Sequence, residues 1–395
     1  MLAVLAAWGC EARTSGNSSA ARTEVAPVRI DATDLLVKFE CARCHDIPSV
    51  AQADEDKHCV GCHQAIHAGT FTSHGREVDR EHIARWRGRI TSIRWVPSLA
   101  SVDRLRRSWV RDFLLAPHDI RPALVAEMPR LAITADEATR LAAHLVPDVP
   151  DAAAPSSSAS RGEQLYRAFA CARCHRFTGA SVDDAELHRA GAAQVGPLDG
   201  AWALAPDLRH ARARMTTAAI AAWIAAPRGA MPALGVTLDD ARALADLVAT
   251  TPLAAPPKTP VITRLPILAR RVAWPEVEKR VFRATCWHCH AVPDFARGDG
   301  GPGNSGGFGF APRGLDVSSY EGISAGSLDE HGERRSVFAK LADGTPRIVA
   351  HLIARHVEHA GGVVEGVRGM PLGLPPVSLA DIQLVESWIF QGRPR

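Results

Sequence analysis

Three runs place apolar side chains at helical spacing directly upstream of a cysteine pair: DLLVKFECARCH, EQLYRAFACARCH and EKRVFRATCWHCH. Each run predicts a short amphipathic helix that leads into the cysteines. Three more helical patterns lie further along: TADEATRLAAHLV, TLDDARALADLVA and SLADIQLVESWIF. Each opens on Thr or Ser with an acid two or three positions on, the mark of an N-cap ahead of an amphipathic helix. A Met-Pro pair precedes each closing pattern: Met128-Pro129, Met231-Pro232 and Met370-Pro371. Alternating β-branched runs are few, so the expected fold is mainly α.

The same order of elements recurs three times, and two low-complexity stretches separate the copies. PDVPDAAAPSSSAS spans Pro147 to Ser160 and TTPLAAPPKTPV spans Thr250 to Val261; Pro, Ala and Ser in such runs make extended linkers. The expectation is three tandem domains joined by Pro/Ala/Ser linkers, at 27–148, 159–250 and 260–395. Residues 1–26 are read as a leader and tether. MLAVLAAWG followed by Cys10 resembles the tail of a bacterial lipoprotein signal. Membrane association through a lipidated Cys10 is therefore expected, with a plain leader or a free thiol as the alternatives.

Composition narrows the function. Of 395 residues, 46% are hydrophobic and 23% charged, as in globular chains, but aromatics are only 6%. Small Ala-rich helical domains with few rings need another source of buried apolar volume, and a large cofactor would supply it. The net charge of +3 is too small for a nucleic-acid-binding surface, and no nucleic-acid partner is expected. The RLRR cluster at Arg104 to Arg107 reads as a solvated helix face. The Gly-rich GDGGPGNSGGFGF at Gly298 to Phe310 lacks the GK[ST] of a phosphate loop and reads as a surface loop.

Eight of the nine cysteines form four CxxC pairs, and every pair is followed by His: CARCH at 41–45, CVGCH at 59–63, CARCH at 171–175 and CWHCH at 286–290. With 17 His in the chain, chance does not put one after each pair. Zinc suits the C-x2-C-x14-C-x2-C spacing from Cys41 to Cys62, but it leaves the pairs at 171 and 286 alone and the His unexplained. A dithiol redox motif expects a βαβ setting, which is missing from the pattern. Covalent haem accounts for every letter, with two thioethers and an adjacent imidazole beneath the iron.

With leading helix, CxxCH, Met-Pro segment and closing helix, the chain resembles the class I cytochromes c, and the resemblance covers most of residues 30–395. LDVSSYEG at Leu315 to Gly322 adds a likeness of the third domain to cytochrome c-like modules of large bacterial proteins. The resemblance implies four covalently bound haem c groups attached through Cys41, Cys44, Cys59, Cys62, Cys171, Cys174, Cys286 and Cys289. His45, His63, His175 and His290 would be the proximal iron ligands.

Apart from Met1 there are four methionines, and the three in Met-Pro pairs are the natural distal ligands: Met128 for His45, Met231 for His175 and Met370 for His290. Met215 reads as surface or core. His351, His356 and His359 are rivals to Met370. The CVGCH motif follows the polar QADEDKH rather than an amphipathic run, so the second haem is expected on an insertion. His74 is its expected sixth ligand, with His82, His67 or an open position as alternatives. Arg43 and Arg173 are candidates to pair with haem propionates, and Trp109, Trp223 and Trp388 to pack against haem edges or one another. The function that follows is single-electron transfer between redox protein partners on the periplasmic side. A haem enzyme, a peroxidase or small-oxide reductase with an open second iron, is the alternative.

Overall fold

A computed structural model describes residues 31–48, 50–53, 57–73, 75–121, 124–147, 159–181, 204–229, 231–255, 261–291, 297–299, 301–302, 314–329 and 331–395. Residues 32–395 form one compact, mainly helical unit. Strands among the described residues are two-residue pairs, such as Thr72–Ser73 against Arg76–Glu77. No helix among the described residues is long and apolar enough to cross a membrane.

Each third of the chain builds its own apolar cluster. In the first, helix α1 (Ala32–Lys38) buries Leu35 and Leu36 against helices α4 (Arg107–Leu115) and α5 (Ala135–Leu145). In the second, α6 (Ala159–Ala168) and α7 (Thr217–Ala225) pack on α8 (Leu238–Thr250). Gly162 permits this contact, since a Cβ there would lie 2.7 Å from the Ala243 carbonyl oxygen of α8. In the third, α9 (Trp274–Val277), α10 (Arg347–His359) and α11 (Leu379–Phe390) surround Trp388, which is fully buried. Between the first two labelled ends, α2 (Cys59–Ala68) and α3 (Arg80–Arg89) close over a smaller cluster of Ile66, Phe71, Ile83, Trp86 and Ile90. This piece has its own small core.

The three closing helices start where the pattern places them. Thr134, Thr237 and Ser378 accept from the amides of Glu137, Asp240 and Asp381, and Thr134 with Glu137 forms a full capping box. The leading helices differ from expectation at their ends. Glu40 and Ala170 both turn into the left-handed region (φ 50° and 51°) just before the first Cys, and each begins a separate 3₁₀ turn, Cys41–Arg43 and Cys171–Arg173. The third run has Thr285 in that place, a β-branched residue for which positive φ is strongly disfavoured. There the helix reaches the motif through a π turn over Glu278–Phe282, and Thr285 keeps φ −132°.

The segments also touch through their backbones. Leu105 bridges Met215, and the Arg106 amide donates to the Arg214 carbonyl at 2.8 Å. Arg355, buried on α10, donates to Ala126 in the first segment and Leu374 in its own, both at 2.8 Å. Trp86 of the insertion donates its indole N–H to the Gly298 carbonyl at 2.9 Å. The three tryptophans singled out above do not meet: Trp109 stacks on Phe113, Arg104 covers Trp223, and Trp388 sits among Trp274, Phe282, Tyr320 and Phe338. The linker residues 148–158 and 256–260 lie outside the described residues, as do Cys10, His74 and most of the Gly-rich segment 298–310.

Candidate functional site

The two CARCH motifs fold alike. His45 Nδ1 lies 2.8 Å from the Pro97 carbonyl oxygen, and His175 Nδ1 lies 2.8 Å from that of Pro206. The residue after each His then accepts a backbone bond from the returning loop, Leu99 to Asp46 and Leu208 to Arg176. A carbonyl can only accept, so in each ring Nδ1 carries the proton and Nε2 keeps its lone pair. Such a bond also fixes the ring's direction and raises the basicity of the ligating nitrogen. Desolvation lowers the pKa of both rings, which keeps them neutral as a metal ligand must be.

The motif arginines part company. Arg43 is buried and donates to the Lys57 carbonyl at 3.1 Å and to Glu40 at 3.2 Å. Arg173 has Ala170 in place of Glu40, and its Nε and one terminal nitrogen are buried without a hydrogen-bond partner among the described residues. A guanidinium fork in that condition suits a carboxylate held in two places, which is what a haem propionate offers.

CVGCH has a different setting. Cys59 is the first residue of α2, and His58 caps the helix, its Nδ1 accepting from the Gly61 amide at 2.8 Å. His63 therefore lies inside the helix, only 5% exposed, with Nδ1 at 3.1 Å from the carbonyl oxygens of both Ser92 and Ile93. Its Nε2 is again the lone-pair nitrogen, and burial again depresses its pKa.

Three of the four cysteine pairs converge. The Cys44 thiol donates to the Cys59 sulfur, which raises the pKa of Cys44 and lowers that of Cys59 to about 7. Cys289 lies near enough to Cys59 for the two to repel when charged, and burial is the larger cause that pushes Cys289 up to about 11. Burial likewise raises Cys41 and Cys171 to about 11 and Cys286 to about 12. All eight motif cysteines are free thiols and half-buried, none paired in a disulfide.

At CWHCH the His290 carbonyl accepts from Val317, a counterpart of the loop bonds at the CARCH sites. Desolvation, aided by the nearby His351, lowers the His290 pKa to about 4. His351 Nδ1 lies 2.7 Å from the Arg368 carbonyl oxygen, so it too presents Nε2, and its own carbonyl accepts from the Met370 amide at 2.8 Å. His356 Nε2 is engaged at 2.8 Å by the Val377 carbonyl, and His359 is exposed. Met128 packs on the cluster that includes Cys41, and Met370 on the cluster that includes Cys286. Met231 is half-buried. Met215 packs against both the first and second clusters, a core position at their seam.

His67 Nε2 lies 3.1 Å from the Ile90 carbonyl oxygen, and His82 meets Trp86 edge-on at 5.8 Å. The residue that faces His63 instead is His288, the third letter of CWHCH, with ring centres 6.1 Å apart. Nothing in the sequence marks His288, because it acts across more than two hundred residues of chain.

Residues 157–249 match the family model of cytochrome c oxidase, cbb3-type, subunit III. No curated protein and no solved structure matches the chain. The match supports a c-type cytochrome: over this segment it implies covalently bound haem c, haem-based electron transfer and redox protein partners. The residues there fit the group, with two free thiols, a neutral His175 presenting Nε2 and the Arg173 fork beside them.

Proposed function

We propose that the chain is a tetrahaem c-type cytochrome that passes single electrons between redox protein partners on the periplasmic side. The observation that carries this reading is the convergence of three haem-attachment motifs, in which His63 of CVGCH faces His288 of CWHCH with ring centres 6.1 Å apart and the Cys44 thiol of CARCH hydrogen-bonds the Cys59 sulfur. Bound haem c supplies a one-electron iron couple, and three such groups anchored at adjoining sulfurs would lie within easy electron-transfer reach of one another. The chain's part is to attach the four groups through its eight motif cysteines and to hold each iron from one side by His45, His63, His175 or His290. Neutral, carbonyl-oriented imidazoles such as His45, His63 and His175 change little between ferric and ferrous states, which suits electron transfer.

On the distal side, Met128 serves His45 and Met231 serves His175. At His290 both Met370 and His351 are in place, and two observations favour His351: its Nδ1 is fixed by the Arg368 carbonyl, and it is close enough to His290 to depress its pKa. The third-segment haem would then be bis-histidine, with a lower potential than the methionine-ligated pair, because a thioether favours ferrous iron.

A pyridine haemochrome count combined with intact mass tests the reading at its base. The expected result is four haem c per chain, and fewer than four overturns it. Binding of carbon monoxide by the reduced native protein would move the reading to a haem enzyme with an open iron.

A further inference from the structure

We infer that His288 is the sixth ligand of the iron held by His63, so that one haem is ligated by the residue beside another haem's anchor. The inference rests on the tetrahaem reading. Its starting point is the His63–His288 pair, with ring centres 6.1 Å apart and planes inclined by 37°. Two imidazoles on opposite sides of one metal, each bonded at about 2 Å, have ring centres about 6 Å apart, because each centre lies a little over 1 Å beyond its nitrogen. The observed separation matches the one an axial pair would have. It is also too long for the rings to stack face to face.

His63 is prepared for this role by the carbonyls of Ser92 and Ile93, which hold its Nδ1 and leave Nε2 as the donor. The partner ring is carried to it by long-range contacts. Trp86 on α3 donates to Gly298, a residue whose missing Cβ would overlap the Arg283 carbonyl, so the loop after CWHCH lies close against the helix before it. Arg85 of the insertion and Arg283 of the third segment both reach Asp299 at 3.5 Å. These contacts clamp α2 and α3 onto the stretch that contains His288, and they bring Cys59 near Cys289 as well. Two neighbouring imidazoles are otherwise engaged: His67 Nε2 lies 3.1 Å from the Ile90 carbonyl oxygen, and His58 caps α2.

Two consequences follow. The second iron is closed on both sides, which removes the open position that a peroxidase or reductase would need. His288 is also the neighbour of Cys289, so only two residues of chain link the iron at His63 to the thioether of the haem at His290. A bonded route of that length would couple the two redox centres more directly than any contact through space.

The test uses the holoprotein with His288→Ala, His288→Met and, as a control, His74→Ala. In His288→Ala one haem in four is expected to become five-coordinate and high-spin, to bind one equivalent of carbon monoxide when reduced, and to return to low spin on addition of imidazole. In His288→Met that haem stays low-spin but gains a sulfur-to-iron charge-transfer band and a higher potential. His74→Ala is expected to leave the spectrum unchanged. A His288→Ala protein with four haems, all low-spin and inert to carbon monoxide, overturns the inference, as does a new high-spin haem in His74→Ala. If His288→Ala fails to fold, a His288→Met protein with no sulfur band and no change of potential overturns it instead. A native count below four haems would sink the tetrahaem reading itself, which is a separate outcome.

Discussion

The two CARCH motifs and the pair formed by CVGCH and CWHCH attach the same kind of group by different means. At the CARCH sites nearly everything is local and repeated: a left-handed residue, a 3₁₀ turn, a 2.8 Å bond from His to a prolyl carbonyl and a loop amide on the next residue. CVGCH starts an α-helix, CWHCH follows a π turn, and what matters most about each is the other, through His63 and His288 and through Cys59 and Cys289. Identical letters reproduce a backbone. They do not reproduce the surroundings of an outward side chain, as Arg43 and Arg173 demonstrate.

The largest expected effect comes from cutting the tie between the first and third segments. Arg355 is buried with Glu358 and spans the first and third segments, so Arg355→Met should cost about 3–5 kcal/mol and show in chemical denaturation. The spectra of the haems held by His45 and His290 should change with it, since Ala126 lies two residues from Met128 and Arg355 four residues from His351, while that at His175 holds. A loss under about 1 kcal/mol would mean that the segments are not tied together there.

The arginines give the next largest effect. Arg43→Gln removes the bonds to the Lys57 carbonyl and to Glu40 and should cost about 1.5–3 kcal/mol. Arg173→Gln should cost less than about 0.5 kcal/mol but lower the potential of the haem at His175, since removing a cation favours ferric iron. Equal stability losses in the two variants would remove the distinction between the twins.

The residue ahead of each motif offers a smaller test. Ala170→Thr forces a β-branched side chain to positive φ, at about 1–2 kcal/mol, whereas Thr285→Ala should be tolerated because φ there is already negative. Thermal melting of the two variants checks the order. Trp86→Phe should cost about 1 kcal/mol from the lost bond to Gly298. It should be accompanied by spectral change at the second and fourth haems alone.

Much was legible along the chain because it depends on neighbours in sequence. The capped closing helices begin at Thr134, Thr237 and Ser378 as their side chains require, and the fourfold CxxCH states its own chemistry, which the cytochrome c match over 157–249 supports for one copy. What the sequence could not show is which groups meet across segments. Met215, read as surface or core, lies at the seam of two cores, and His288, which no pattern marks, faces His63. Local propensity and spacing act over one or two helical turns, so they set caps, turns and motif geometry. The partners of an outward-pointing imidazole are chosen by how whole segments pack, and only the tertiary structure decided that.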